Sequence, residues 1–313
     1  MDSSLDIIIV NWNAGHHLRD CMDSVVTAKR EGFTLSRVVV VDNASTDGSA
    51  DGLEYSDLPL TVIKNPENRG FAAACNQGAA GTDADYLLFL NPDTKLNRDS
   101  LSAPIIFMEQ PDYARVGICG ITLLDETGKP STACARFPTL TIFISEMLGL
   151  PRVFPQVFPP HIMLSKEIFH SREVDQVMGA FFLIRTKLFV SLGGMDERFF
   201  LYFEEVDLSL RAKELGYTSY YLSNVAAYHA GRVCSKQVSS AALFYSLSSR
   251  FKYACSHYRS WECITLILLT FSVEFASRMF LVVVRPSVIR VSDVLSAYRR
   301  LAVAMVSGDI KCK

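Results

Sequence analysis

Short apolar runs that end on polar residues recur through the N-terminal part of this chain. Asp6-Ile7-Ile8-Ile9-Val10-Asn11 and Arg37-Val38-Val39-Val40-Val41-Asp42 flank a helix-compatible segment, His16 to Lys29. A third run covers Leu60 to Lys64, and a fourth, Asp85-Tyr86-Leu87-Leu88-Phe89-Leu90, leads into Asn91-Pro92-Asp93-Thr94. None alternates apolar with polar, which is the pattern of strands covered on both faces in a mostly parallel sheet. Parallel strands joined by helices set Asn11, Asp42, Asn68 and Asp93 along one sheet edge, where open α/β sheets bind ligands.

The segments after these runs are turns rich in small and polar residues. Asp42-Asn43-Ala44-Ser45-Thr46-Asp47-Gly48-Ser49 offers Ser45 or Thr46 as the cap of a following helix. Asn65-Pro66-Glu67-Asn68-Arg69-Gly70 opens a helix of small residues that lets backbone or ligand come close. Pro92 breaks the strand, so Asp93 is expected to face the crevice as a metal ligand; the alternative is a turn aspartate capping a helix from Arg98 to Met108. For Asp42 and Asn68 the alternative to ligand contact is an Asx turn. No GxGxxG follows the first run and no GxxxxGK[ST] occurs, which removes two phosphate-binding fingerprints.

Further along, Val116 to Leu124 and Pro130 to Arg136 read as a hairpin around Asp125-Glu126-Thr127-Gly128, and Val177 to Arg185 as another buried strand. Between them, residues 137 to 173 contain five prolines and little periodicity, and are expected to form a mobile loop over the site. A helix starting near Glu204 should turn Leu208 and Leu215 inward and carry Glu204, Glu205 and Asp207 in its first turn. Acids there suit the helix dipole. Alternatively, the surrounding aromatic residues raise a carboxylate pKa towards general-base duty. Asp207 and Arg211, spaced i, i+4, read as an ion pair. After a strand at Tyr217 to Leu222, His229 precedes Gly231, Arg232 and Lys236, a grouping that suits metal and diphosphate contact, against the alternative of a packed histidine.

In the C-terminal tail, Leu243, Leu247, Phe251, Ala254 and Tyr258 recur at helical spacing, with Arg250, Lys252 and Arg259 elsewhere on the circumference. Cys263 to Val284 is long and apolar enough to span a bilayer but contains Glu274 and Arg278, each costing roughly 2.5 to 3.5 kcal/mol at its centre. The flanking arginines would also set the carboxyl side of a crossing inward and so leave the N-terminal part of the chain on the outer face. Amphipathic helices lying on a membrane surface or packed on protein are therefore expected. Val288, Val291, Leu295, Tyr298, Ala302 and Met305 mark a last helix, for which a dimer seam is the rival use.

Length and charge refine this division. The 313 residues suffice for one large domain with an appendage, expected at 1–240 and 241–313. Net charge is −2, but residues 241–313 hold ten Lys/Arg against four Asp/Glu, a basic surplus that attracts anionic lipid; no nucleic-acid partner is expected. Eight scattered cysteines without a CxxC pair, and a start that runs into a strand without a signal peptide, fit reduced thiols and cytosolic folding.

Four stretches in order, DIIIVNWN at 6–13, VVVVDNASTDGS at 38–49, NPENRGFAAACNQG at 65–78 and LLFLNPDT at 87–94, resemble the family 2 glycosyltransferases of the GT-A fold, in their rhamnosyltransferase-like branch. The resemblance implies an α/β fold of GT-A type, with a nucleotide-sugar half at about 1–95, an acceptor half at about 96–240, and C-terminal helices that associate with membrane or dimerise. It implies nucleotide-diphosphate-sugar contacts at Asn11, Asn13, Asp42, Asn43, Asn68, Arg69, Gly70, Asn76, Asn91, Arg232 and Lys236, with acceptor contacts at Gly179 and Ala180. A divalent cation, magnesium or manganese, falls to Asp93 and His229, where Asn91-Pro92-Asp93 replaces the DxD of many GT-A enzymes and leaves one carboxylate. Leu201-Tyr202-Phe203-Glu204-Glu205-Val206-Asp207-Leu208 matches the segment whose second acid is the catalytic base, here Glu205 where the family pattern has Asp, with Glu204 as its substitute. The expected activity is inverting transfer of a sugar, rhamnose from its thymidine diphosphate donor as the best match, to a lipid-linked glycan at the inner face of the cell membrane. The alternatives are a noncatalytic nucleotide-sugar-binding scaffold at the membrane and a sugar-phosphate nucleotidyltransferase, the latter disfavoured by the lack of a Gly-rich basic loop after the first strand.

Overall fold

The computed structural model describes residues 3–163, 167, 169–231, 239–284 and 290–310. They divide into two compact units: Met1–Arg136, Ile162–Glu197 and Glu204–Cys234 in one, and Phe137–His161, Arg198–Phe203 and Ser235–Lys313 in the other.

The first unit is built on a nine-stranded sheet of order β3-β2-β1-β4-β10-β6-β11-β5, with β8 also paired to β11. Its strands are β1 (Ser3–Asn11), β2 (Phe33–Asp42), β3 (Leu60–Lys64), β4 (Tyr86–Leu90), β5 (Thr94–Leu96), β6 (Val116–Leu124), β8 (Arg172–Val174), β10 (Phe181–Arg185) and β11 (Thr218–His229). A second, two-stranded sheet pairs β7 (Cys134–Ala135) with β9 (Gln176–Val177). β1 to β4 are mutually parallel, whereas β10 runs antiparallel to both β4 and β6. The covering helices are α1 (His17–Thr27), α2 (Phe71–Ala79), α3 (Ser102–Met108), α6 (Thr186–Ser191) and α7 (Glu204–Glu214).

Unbroken apolar runs form these strands because each strand feeds two cores at once. Ile7, Ile9, Val38, Val40, Leu88 and Leu90 enter one cluster with Leu18, Met22 and Val25 of α1. Their neighbours Ile8, Val10, Val39, Val41, Leu87 and Phe89 enter the other with Ala72, Cys75 and Leu208. Side chains alternate across a strand, so a layer on each face requires an apolar residue at every position. Asp6 is the exception: fully buried, its Oδ2 accepts from Arg37 Nε at 2.7 Å and Thr82 Oγ1 at 2.7 Å.

Several expected elements take a different form. The hairpin reaches only its tip, where Leu124 bridges Pro130; Pro130 has no N–H to extend a ladder, and residues 134–135 pair with β9 instead. The run from Val177 to Arg185 breaks at Met178-Gly179-Ala180, separating β9 from β10. No helix follows Ser45 or Thr46. Leu208 is buried as expected, but Leu215 lies past the end of α7 and is 55% exposed. Residues 137–173 are not an unstructured loop. They contain α4 (Leu140–Met147), capped by Thr139 Oγ1 accepting from Ile142 N at 3.2 Å, and α5 (Leu150–Val153). Pro138 precedes the cap and Pro151 lies in the first turn of α5, where a missing N–H costs nothing.

The second unit is helical: α4, α5, α8 (Ser239–His257), α9 (Ser260–Leu269), a π turn (Thr270–Glu274), α10 (Phe275–Val284) and α11 (Val291–Val306). Leu247, Phe251, Ala254, Leu266, Val294 and Leu301 share one core there. Two expectations are corrected. Arg250 is buried and paired with Glu274, not solvent-facing. In α11 the buried face is Val294, Ala297, Tyr298, Leu301 and Ala304, with Val291 and Leu295 outward; both faces are apolar, so spacing alone could not choose. Cys21, Cys75, Cys119 and Cys134 are free thiols, whereas Cys255, whose Sγ lies 3.4 Å from that of Cys263, is disulfide-bonded, which corrects the expectation of reduced thiols throughout.

The small residues of α2 let it press onto the sheet: a Cβ at Gly78 would fall 2.5 Å from Ile8 Cγ2 and 3.2 Å from Val41 Cγ2. Gly78→Ala should therefore lower unfolding free energy by about 1 to 3 kcal/mol, outweighing the helix-propensity gain of about 1 kcal/mol, as read from urea denaturation midpoints at unchanged slope.

Candidate active site

Pro92 ends β4, but the chain re-enters the sheet at once as β5 on the far side of β11, with Thr94 opposite His229. This pairing brings together residues distant in sequence: His229 Nε2 lies 3.3 Å from Asp93 Oδ1, and Ala230 N donates to Asp93 O at 3.1 Å. Asp93 is buried. Burial raises its carboxyl pKa, but the hydrogen bond and charge of His229 outweigh this, with a smaller contribution from His17, and hold it below the usual carboxylate range.

The same loop is stitched to the break between β9 and β10. Ala180 O accepts from Asn91 N at 3.1 Å and from Thr94 Oγ1 at 3.3 Å. The neighbouring Gly179 faces the first turn of α7, where a Cβ on it would lie 3.9 Å from Glu205 Cδ and Oε1. Asp93, His229, Ala180, Gly179 and Glu205 thus form one connected neighbourhood. Ala180 itself is buried, with its carbonyl engaged by the 91–94 loop.

Glu204 is buried and Glu205 half-buried, and the Oε2 atom of each is enclosed without a hydrogen-bond partner among the described residues. Desolvation, and then the charge of Glu205, push the Glu204 carboxyl well above its ordinary value; desolvation also raises Glu205. Two carboxyl groups side by side in a dry setting cannot both ionise cheaply. Tyr202 and Phe203, immediately before α7, adopt left-handed backbone at φ 68° and 71°, a strain that concentrates at functional sites. Asp207, by contrast, is paired to Arg211 at 2.7 Å, and Arg211 also donates to the carbonyls of Leu192 and Gly194.

Along the first strand ends, several residues expected to contact ligand are tied into the turns by hydrogen bonds. Asn11 is 0% exposed, and its Nδ2 donates to Asp42 Oδ1 (2.9 Å), Ser45 Oγ (3.0 Å) and Ser49 Oγ (2.9 Å), so it shapes the 42–49 turn from beneath. Asn43 is buried and saturated by Asn65, Asn68, Arg69 N and Gly70 O. Asn76 clasps Met195 N and O and Glu197, not a nucleotide. Asn13 Oδ1 accepts from Thr46 N, and Asn68 Oδ1 from Gly70 N, while Arg69 between them in the turn is exposed. Gly70, at φ 85°, takes a backbone few other residues tolerate. Asn91 is half-buried. Arg232 and Lys236 lie outside the described residues.

These bonds leave a cavity of about 310 Å³ between the turn and β3, lined by Asp42, Ala44, Ser45, Thr46, Asp51, Lys64 and Asn65. Sequence reasoning found Asp42 but missed Lys64, which pairs with Asp51 at 2.7 Å, and Ser45 and Ser49. Their only signal was a turn of small hydroxyl residues directly after a buried strand.

The model for glycosyl transferase family 2 matches residues 6–170, more than half of the sequence. The chain belongs to glycosyl transferase family 2. Similar curated relatives include the rhamnosyltransferase WbbL of Escherichia coli, 33% identical over 175 residues, and the N-acetylglucosaminyl-diphospho-decaprenol L-rhamnosyltransferase of Mycobacterium tuberculosis, 25% identical over 245 residues. The first alignment covers 55% of this chain and only 62% of WbbL; the second covers 73% and 76%. Among solved structures, the mannosyltransferase PcManGT from Pyrobaculum calidifontis, in complex with GDP-Man and Mn2+, superposes with TM-score 0.56 at 16% identity, over 99% of this chain and 82% of that one. TarS of S. aureus gives 0.52 at 16% identity, over 91% and 46%. These likenesses place this family 2 member in the GT-A fold. The family match contains Asp93 but stops short of Glu205 and His229, which join the site through geometry alone.

The carboxyl pair has a consequence for stability. With folded pKa values raised above the ordinary 4.5, the pair's contribution is fully present below that pH and is lost as pH rises through the folded values. Glu204→Gln should therefore gain melting temperature relative to the parent, with a larger gain at pH 8 than at pH 5 in paired thermal melts.

Proposed function

We propose that this chain is an inverting glycosyltransferase that moves a sugar, rhamnose from its thymidine diphosphate donor as the leading candidate, onto a lipid-linked glycan precursor at the cytosolic face of a membrane. The single observation that carries the reading is the neighbourhood of a carboxylate–imidazole pair, Asp93 and His229, with the enclosed carboxylate of Glu205 beside Gly179. In this reading Glu205 takes the proton of an acceptor hydroxyl. The acceptor oxygen forms a bond to the anomeric carbon, the bond from that carbon to the β-phosphate oxygen breaks, and the nucleoside diphosphate leaves with the electron pair. One displacement gives inversion. In this reading the nucleobase occupies the cavity beside Asp42, and the exposed Arg69 is the candidate cation for the diphosphate. Both named rhamnosyltransferase relatives support the sugar, and the diphospho-decaprenol in the name of the second supports the lipid-linked acceptor.

The residues at Asp93 fit a divalent cation. A carboxylate oxygen and an imidazole nitrogen 3.3 Å apart match two ligands of one ion with bonds of about 2.0 to 2.2 Å. Asp93 and His229 would hold it, and the oxygen and nitrogen donors suit magnesium or manganese, as does the Mn2+ of the PcManGT structure. Such an ion supplies charge neutralisation to the departing diphosphate.

The test is release of nucleoside diphosphate from donor by the purified full chain with magnesium or manganese. Glu205→Gln should lower kcat by about 10² to 10⁴ with donor affinity kept, and a chelator should abolish turnover until metal is returned. Donor binding without turnover in the parent chain would instead establish the scaffold reading, which the single carboxylate of Asn91-Pro92-Asp93 favours. A companion variant reads the same site through pH. Gly179→Ala sets a methyl at van der Waals distance from the Glu205 carboxyl, further drying it, so the acid limb of the turnover profile should move to higher pH while melting is unchanged.

A further inference from the structure

The helix from Ser260 to Val284 presents an outward row of Trp261, Ile264, Leu268, Ser272, Ala276, Phe280 and Val284, all exposed and none charged. Trp261 is 58%, Leu268 64% and Phe280 67% exposed. The stretch Ser260–Val282 is long and apolar enough to cross a membrane, yet only 17% of its most apolar window is buried, unlike a helix in the core of a soluble protein. Its charges point elsewhere. Glu262 caps the helix by accepting from Arg259 N at 3.0 Å. Glu274 is buried against Arg250 of α8, which also donates to Thr270 Oγ1 at 2.9 Å, and Arg278 folds back onto Glu274 at 2.7 Å.

The π turn helps to keep the row on one side. Each i+4 step along an α-helix over-rotates by about 40°, so a long row at that spacing winds around the axis. Bonds closing i to i+5 over Thr270–Glu274 take more residues per turn and absorb part of the drift at the middle of the row, while turning Glu274 inward to Arg250. The result is a helix whose ionic groups lock it to α8 and whose opposite face has only apolar and small side chains.

From this we infer that the row beds into the surface of an anionic lipid bilayer, parallel to its plane, with Trp261 and Phe280 reaching the boundary of headgroups and acyl chains. Lipid fits this face because the charge matches. Residues 241–313 carry ten Lys/Arg against four Asp/Glu, and Arg259, Arg290 and Arg299 are exposed, so anionic headgroups are drawn to this unit. A spanning orientation would pull Glu274 and Arg278 away from Arg250 or carry all three into hydrocarbon. The inference rests on the membrane-side acceptor reading above for its purpose and on its own observations for its geometry.

Vesicle co-sedimentation of the full chain tests it, using phosphatidylcholine vesicles with and without phosphatidylglycerol. Binding should need the anionic lipid, weaken in high salt, and shift Trp261 emission to the blue in a Trp12→Phe background. Leu268→Asp with Phe280→Asp should lower partitioning at least about tenfold with unchanged melting and unchanged donor hydrolysis in solution. The inference is overturned by absent binding, by equal binding to neutral vesicles, by equal binding of the double variant, or by a solution dimer that the double variant dissolves, which would make the row a seam between copies. Loss of donor turnover with vesicle binding intact would sink the proposed function and leave this surface standing.

Discussion

The antiparallel pairing of β5 with the end of β11 is the constraint on which the candidate site depends. It lets a chain that has just left the sheet at Pro92 return beside a strand that begins only at Thr218, and the register sets Thr94 opposite His229. Asp93 and His229 then meet at 3.3 Å without a loop having to order itself around them. Backbone hydrogen bonds hold this arrangement, so two polar side chains are presented by rigid elements, which is what a binding constellation requires. The carbonyl of Ala180 extends the same stitching to Gly179 and hence to Glu205.

Around that constraint the protein spends its polar residues in two ways. The Nδ2 of Asn11 and the side-chain amides of Asn43 and Asn76 are engaged by turn and loop partners, so their chemistry goes into fixing backbone. Glu204 and Glu205 are left with enclosed, unpartnered oxygens, a cost that folding alone does not explain. A carboxylate kept dry at the start of a helix is a stronger base than one in water, and the adjacent left-handed backbone at Tyr202 and Phe203 marks the same spot.

The helical unit solves a different problem. Arg250, Glu274 and Arg278 are charged residues on helices that are otherwise apolar, and they neutralise one another inside the unit. Pairing of this kind is weak evidence for stability, because desolvation offsets much of the attraction. What it does is clear the outward face of charge.

By itself the sequence determined the central strands, because the unbroken apolar runs within β1, β2 and β4 are compatible with burial on both faces and not with one solvated face. It also located the polar residues that follow those strands, the Asp207 and Arg211 pair, and the helical character of the tail. It did not show how those polar residues are held: Asn11 and Asp93 look alike in sequence, and only the packed loops set the Nδ2 of Asn11 against the 42–49 turn and the carboxylate of Asp93 beside His229. Nor did it reveal the helices of residues 140–153, whose prolines fall at ends where they do no harm, or the inward turn of Arg250. Hydrophobic periodicity is a local property and survives in the sequence, whereas hydrogen-bond saturation and desolvation depend on partners brought from far along the chain, and those were decided by the tertiary structure alone.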